Sequence, residues 1–233
     1  MKLDRLLAKH DSIGRSQARS LILAGRVRVD GEVARRFDQE IDRFAAVELD
    51  ADLIQSSSRK LYLMLNKPLG VVSATRDAEH LTVIDLITDP DRHSLHLVGR
   101  LDRSTSGLIL LTNDGRWSKP LMNPATKVPK VYLVETVAPI PAHAAAKFRA
   151  GFHFATEDIV TRPAELELLS DRQARLTLVE GRYHQIKRMF HRIGNRVVKL
   201  HRERIGSITL PADLAPGEWR ALTPSEMSGH ATL

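Results

Sequence analysis

The 233-residue chain reads as an α+β protein with a largely antiparallel sheet. Short apolar runs bounded by Gly, Pro, Asn or Asp recur along it, such as Leu61-Tyr62-Leu63-Met64-Leu65, Ile109-Leu110-Leu111-Thr112 and Val131-Tyr132-Leu133-Val134-Glu135. Runs of that length and flanking read as strands. Helical spacing is confined to a few short segments, clearest where Ile186, Met189, Phe190 and Ile193 fall at i, i+3, i+4 and i+7. The polar, small-residue stretch Gln55-Ser56-Ser57-Ser58 reads as a linker, dividing the chain into residues 1–58 and 59–233.

In the first part, Leu3, Leu6 and Leu7 predict a short helix, and Asp11-Ser12-Ile13-Gly14 a break after it. A second helix runs through Ala24, with Ala18, Leu21 and Ile22 as its apolar stripe and Arg15 and Arg19 at i, i+4 on an exposed face. Gly25 stands where a left-handed cap belongs. Val27 and Val29 then alternate with Arg26 and Arg28 as a strand, and Asp30-Gly31 signals a hairpin before Val33.

In the second part, the strand from Leu61 ends at Asn66-Lys67-Pro68 and Gly70. Thr82 to Leu86 reads as a short helix, and Ser94 to Val98 leads into the loop Gly99-Arg100-Leu101-Asp102-Arg103-Ser104-Thr105-Ser106-Gly107-Leu108. Ile109 to Thr112 continues as a buried strand that Asn113-Asp114-Gly115 ends with turn residues. Pro141 through Ala150 reads as an alanine-rich helix with Gly151 past its end. Ala164, Leu166 and Leu168 alternate in a strand paired, through the Ser170-Asp171 turn, with Arg175 to Val179. After the 186–193 helix, closed by Gly194-Asn195, Val198 and Leu200 alternate with Lys199 and His201. Ile208–Leu210 and Trp219–Leu222 are the last strands, with a Pro216-Gly217 turn between them.

The charge is unevenly placed. The net charge is +7 and the sequence pI is about 9.9, values that point to an acidic partner, with nucleic acid the default. Residues 1–30 carry seven Lys/Arg against three Asp, residues 31–58 three Arg against seven Asp/Glu, and residues 181–204 eight Lys/Arg against one Glu. Two basic patches with an acidic connector between them look like two contact surfaces. Aromatic residues make up only 5%, too few for a long single-strand stacking platform. No apolar run approaches a membrane span, no signal peptide opens the chain, and Cys is absent; these features fit a cytoplasmic protein without disulfides or thiolate metal sites.

Taken singly, the chemistry-bearing residues have ordinary readings: Asp102 a turn aspartate, Tyr132 an interior strand tyrosine, Leu200 a core leucine. Together they form a pattern. GRLDRSTSGL resembles the catalytic motif of the pseudouridine synthases, and YLMLNKPLGVVSA resembles their first motif, whose role is mainly to buttress the active-site loop. EGRYHQIKRMF resembles their third motif. Helix, basic helix, glycine cap and strand-turn-strand with AGRVRVDG resemble the S4 RNA-binding module, and LHRERIGSITL with LAPGEWRALT resembles the RsuA branch that modifies ribosomal RNA.

The resemblance implies a small N-terminal S4-like α/β module and a synthase domain on a mainly antiparallel mixed sheet. It implies Asp102 as the catalytic carboxylate, Lys187 as the basic residue that pairs with it, Tyr132 as the motif tyrosine and Leu200 as the apolar residue under the target base. Phosphate contacts are expected from Arg15, Arg19, Arg26 and Arg28 in the module, and from Arg100, Arg103, Lys130, Arg182 and Arg188 around the cleft. The implied reaction breaks the uracil N1–C1′ bond, turns the base and rejoins it through C5. A carboxylate beside C1′ suits the positive charge that builds there, and a basic partner keeps that carboxylate charged.

No redox step or added group is needed, and no cofactor is expected; neither G-x-x-x-x-G-K-[ST] nor a G-x-G-x-x-G after a strand occurs. His184, His191 and His201 lack metal-site spacing, so no metal is expected either. The expected partner is small-subunit (16S) ribosomal RNA, bare or partly assembled, met by a monomer away from any membrane. Three rivals stand beside it: the same chemistry on large-subunit (23S) RNA, a non-catalytic S4-type assembly protein, and an S4-linked RNA methyltransferase, for which the sequence shows no glycine-rich cofactor loop.

Overall fold

The computed structural model describes residues 1–10 and 13–229. The chain divides into two compact units, Met1–Lys60 and Leu61–Leu233.

The first unit has two helices, α1 (Leu3–Leu7) and α2 (Arg15–Leu23), and four strands: β1 (Val27–Val29), β2 (Glu32–Val33), β3 (Val47–Leu49) and β4 (Asp52–Gln55). The sheet order is β2-β1-β3-β4, antiparallel where β1 pairs with β2 and β3 and β3 with β4. Leu3, Leu7, Ala18, Ile22, Val27 and Val47 are its buried core. Gly25 has φ +74° as the cap after α2 requires, and Asp30 and Gly31 both have positive φ, the conformation of a tight two-residue hairpin. Of the break expected at Asp11 to Gly14, Asp11 and Ser12 lie outside the described residues. The acidic connector holds the second hairpin, β3–β4, and Gln55 belongs to it: its side-chain amide donates to the Asp42 and Ala45 carbonyls.

The second unit contains β5 (Tyr62–Lys67), β6 (His96–Val98), β7 (Ser106–Thr112), α3 (Gly115–Met122), β8 (Lys130–Thr136) and α4 (Ala144–Ala150). The small hairpin β9 (His153–Phe154) and β10 (Ile159–Val160) follows, then β11 (Glu165–Leu168), β12 (Gln173–Leu178) and α5 (Gln185–Arg192). Last come β13 (Val197–Ile205), β14 (Ile208–Thr209), β15 (Trp219–Ala221) and α6 (Pro224–Ser228). A nine-stranded mixed sheet runs β11-β12-β8-β13-β7-β5-β15, with β14 beside β13 and β6 beside β7. Every pairing is antiparallel except β13 with β7, where His201 faces Ser106 and Arg202 faces Gly107. That close approach requires glycine. Gly107 has φ +106°, and a Cβ there would run into the Arg202 backbone.

The sheet's central strands are buried on both faces, which explains their unbroken apolar runs. Leu63, Leu65, Ile109 and Leu111 pack into one core, while Met64, Leu108 and Leu110 pack into another on the opposite face. A third core holds Tyr132, Val134, Leu176 and Leu200 against Phe148 of α4 and Ile186, Met189 and Phe190 of α5. Burying each of those three α5 side chains contributes about 1.5–3 kcal/mol, which fixes the rotation of α5 and hence where its basic face points.

Several expectations are corrected. Thr82 to Leu86 is not a helix but a pair of four-residue turns, Asp85 N–H to Thr82 O and Ile87 N–H to Ile84 O, closed by the Asp85 carboxylate on the Thr82 backbone and hydroxyl. Asn113 and Asp114 end β7 as expected, and Asp114 also starts a helix that no apolar run announces. Its carboxylate accepts from the Arg116 and Trp117 backbone N–H groups and so caps α3. Val198 is exposed rather than inward-facing, because a bulge between Val197 and Lys199 shifts the register of β13.

Candidate active site

The loop between β6 and β7 carries Asp102, and the strand β5 with the residues after it holds that loop in place. Lys67, fully buried, donates from Nζ to the Thr105 carbonyl at 2.8 Å and the Pro68 carbonyl at 2.9 Å. Ser73 Oγ donates to Leu101 O at 2.7 Å and accepts from Leu101 N–H at 3.0 Å. Gly70 and Arg103 exchange two bonds, backbone N–H to Arg103 O and Arg103 Nε to Gly70 O. These anchors give the first motif the buttressing role expected of it.

The side chain of Asp102 stays 29% exposed, and Lys187 of α5 reaches its Oδ2 with Nζ at 3.2 Å. The same Nζ donates to Ser104 Oγ at 2.7 Å. His184 brings Nε2 to 3.6 Å of the same Oδ2 from a left-handed backbone at φ +48°. Asp102, Tyr132, His184, Lys187, Leu200 and Arg202 all line one cavity of about 850 Å³. Tyr132 on β8 and Leu200 on β13 are nearly buried, at 8% and 6% exposure, and supply its ring and its apolar floor.

Two of these residues were not legible as site residues. Arg202 is 2% exposed and donates from Nε to Leu108 O at 2.8 Å and from Nη1 to Arg100 O at 3.4 Å. Nη1 also lies 3.5 Å from the Tyr132 hydroxyl. The guanidinium thereby ties the Asp102 loop, β7 and Tyr132 together. Its signal was there: Arg202 follows Leu200 by two residues and shares its face of the strand. His184, which in a basic stretch reads as a solvated or RNA-facing histidine, faces Asp102. Among the described residues no group of three His, Asp or Glu side chains is placed to hold a metal ion.

The residues expected to touch phosphate differ in what already holds them. Arg15 and Arg19 both place Nε on buried Asp4, at 3.2 and 3.0 Å. Arg26 grips Asp50 with both Nε and Nη2, whereas Arg28 is exposed and bonds only the Gly31 carbonyl. Arg100 and Arg103 are exposed beside Asp102. Arg182 is exposed at the cavity, with Nε 3.3 Å from Glu180. Lys130 is half-buried in the cavity wall, its Nζ on Val128 O, and burial with the nearby Arg202 charge lowers its pKa to about 8. Arg188 is bidentate to Glu157, 2.7 Å at each nitrogen, and lies over the Phe154 ring at 3.6 Å.

The family model described as "RNA pseudouridylate synthase" matches residues 61–192, and that of the S4 domain matches residues 1–41. The chain is 52% identical to "Ribosomal small subunit pseudouridine synthase A" of Pseudomonas aeruginosa over 227 residues, covering 97% of this chain and 99% of that one. It belongs to the RNA pseudouridylate synthases. The protein of the same name from Escherichia coli K12 is 43% identical over 228 residues, covering 98% and 99%. A solved structure described as "Crystal structure of pseudouridylate synthase" matches with a TM-score of 0.72 at 37% identity, covering 99% of each chain. In this synthase, then, a mixed sheet brings a loop carboxylate, a helix lysine and a strand tyrosine to one cavity from positions 102, 187 and 132.

Proposed function

We propose that the chain isomerises uridine to pseudouridine in small-subunit (16S) ribosomal RNA, with Asp102 as the catalytic carboxylate. The observation that carries this reading is the Asp102–Lys187 pair at the mouth of a cavity that also holds Tyr132 and Leu200. The names of the full-length relatives support the small-subunit target.

Asp102 acts on the sugar, adding to C1′ or taking the C2′ proton as the N1–C1′ bond breaks. Lys187 holds the carboxylate in place and balances its charge. The freed uracil turns between the Tyr132 ring and Leu200, C5 bonds to C1′ as the carboxylate leaves C1′ or returns the C2′ proton, and the Tyr132 hydroxyl assists loss of the C5 proton while N1 takes one up. The target must leave its stack to get there, at a cost of a few kcal/mol. Phosphate contacts from Arg28, Arg100, Arg103 and Arg182, whose guanidinium groups lie exposed, offset that cost. Residues 1–58 serve as the S4-type RNA-binding module with its linker, and 59–233 as the catalytic domain. The enzyme works as a monomer, in the cytoplasm where its RNA is assembled.

Tritium release from C5-labelled uridine in 16S transcripts, bare and partly protein-assembled, tests this, with 23S RNA as the counter-substrate. Wild type releases tritium from the small-subunit RNA, and Asp102→Asn loses about 10²–10⁴-fold or more, the range of a positioned acid–base group, while still binding RNA. Equal release by Asp102→Asn removes Asp102 from the chemistry. Release from 23S RNA alone removes the small-subunit target.

A further inference from the structure

Of the eleven Phe, Tyr and Trp side chains, ten are buried or half-buried, and Tyr183 alone among the described residues is exposed, at 77%. Its ring lies flat on the His184 imidazole, with centroids 3.9 Å apart and planes 18° from parallel. His184 in turn reaches Asp102 through Nε2 at 3.6 Å. One π-face of Tyr183 is therefore taken by a residue in contact with the catalytic carboxylate, and the ring as a whole stands open at the rim of the cavity.

This placement is built. Arg188 Nη1 donates to the Tyr183 carbonyl at 3.4 Å, and Glu157 holds that guanidinium from the other side. The backbone then turns through the left-handed His184 into α5, a conformation that non-glycine residues adopt only in a few per cent of cases. An exposed aromatic ring seated on a second ring offers a flat apolar surface to a flat apolar partner. At this rim the flat partner is a base. When the target uridine leaves its stack, the base next to it loses a neighbour and shows an open face.

We propose that Tyr183, backed by His184, is a substrate-positioning platform on which the RNA base flanking the target uridine stacks. The inference rests on the reading of the chain as an RNA uridine isomerase. It is separate from the role of Tyr132, which is nearly buried and contacts the target base itself.

The test uses the full chain with 16S transcripts carrying 2-aminopurine on the 5′ or the 3′ side of the target, and the variants Tyr183→Ala and Tyr183→Phe. Stacking quenches 2-aminopurine. Wild type and Tyr183→Phe are expected to quench one of the two probes on binding, and Tyr183→Ala to leave it bright. Tritium release is expected to show KM raised about tenfold in Tyr183→Ala, the scale of losing one base–aromatic stack, with kcat little changed and Tyr183→Phe near wild type.

Unchanged KM together with unchanged quenching in Tyr183→Ala overturns the platform. A fall in kcat alone also overturns it, because that assigns Tyr183 to the chemical step. Absence of tritium release by wild type overturns the isomerase reading instead. The quenching arm reports binding and is read independently of turnover.

Discussion

Asp4 and Asp102 each sit between two basic side chains, and the use the protein makes of them differs. Asp4, on α1 of the first unit, is 1% exposed and accepts from Arg15 and Arg19. Burial pushes its carboxyl up, but the two arginine hydrogen bonds prevail and hold it below the usual carboxylate range. Asp102, in the second unit, keeps 29% of its side chain exposed and shares a cavity wall with Tyr132 and Leu200. Both have a carboxylate faced by two bases. At Asp4 the arrangement ties two helices together; at Asp102 a cavity opens beside the carboxylate.

The strongest way to break that comparison is to neutralise each carboxylate in turn. Asp102→Asn is expected to abolish tritium release without altering the fold. Asp4→Asn is expected to do the reverse, leaving kcat intact and lowering the unfolding temperature of the first unit, read by thermal melts of the full chain. The sign with pH follows from the lowered pKa of Asp4: its contribution is present above the ordinary carboxylate pKa and fades as pH falls through the lower folded value. A kcat loss in Asp4→Asn would erase the distinction between the two sites.

Buried cations extend the comparison. Lys67, beneath the Asp102 loop, is pushed down by burial to about 8, with the Asp102 charge opposing and Arg202 adding to the shift. A lysine with a folded pKa below its unfolded one binds fewer protons when folded. Stability therefore rises with pH between about 8 and 10.5 and is penalised by a constant amount below that window. For Lys67 the full effect is about 3 kcal/mol, order-of-magnitude. Lys130 shifts the same way. Denaturant unfolding at pH 8 and pH 10 is expected to show a smaller gain in Lys67→Met than in wild type; an identical gain would mean that burial does not lower the pKa of Lys67 and that it stays charged beneath the loop.

Lys187→Met sharpens the contrast from the partner's side. It removes a charge-assisted hydrogen bond from Asp102 and another from Ser104. One such bond contributes about 1.5–3 kcal/mol, so a fall in kcat of about 10- to 100-fold is expected. His184 remains beside Oδ2 and limits the loss. Lys187→Arg is expected to recover part of it, and stopped-flow single-turnover kinetics separate this effect from product release.

The site was legible in the sequence to the extent that its residues sit inside contiguous motifs. Asp102, Tyr132, Lys187 and Leu200 each stand in such a stretch, and the cavity contains all four. Arg202 and His184 were missed because their partners are distant in the chain: Arg202 bonds the carbonyls of Leu108 and Arg100, and His184 faces Asp102. Strand alternation puts Arg202 on Leu200's face but says nothing of what neutralises it there. The fold was lost in two comparable places. The hairpin β3–β4 is disguised by acidic residues, and α3 by its turn-like Asn-Asp-Gly start and by Pro120 within it. Local composition spoke for loop in both, and tertiary packing decided otherwise.

The same logic ranks the arginines, where the smallest effects lie. A cation adds to RNA affinity by releasing counterions from phosphate, and each such contact steepens the salt dependence of binding by about one unit. Arg28 bonds only a neutral carbonyl and keeps its full charge available. Arg188 is neutralised by a bidentate pair with Glu157 and laid on the Phe154 ring. Arg28→Ala is therefore expected to lower the slope of log K against log salt by about one, and Arg188→Ala to leave it nearly unchanged. The latter should instead lower stability slightly through the lost cation–π contact. Filter-binding titrations across salt, beside denaturant melts, separate the two outcomes. A full unit of slope lost in Arg188→Ala would mean that RNA pulls the guanidinium away from Glu157, and that the pair is a latch rather than a brace.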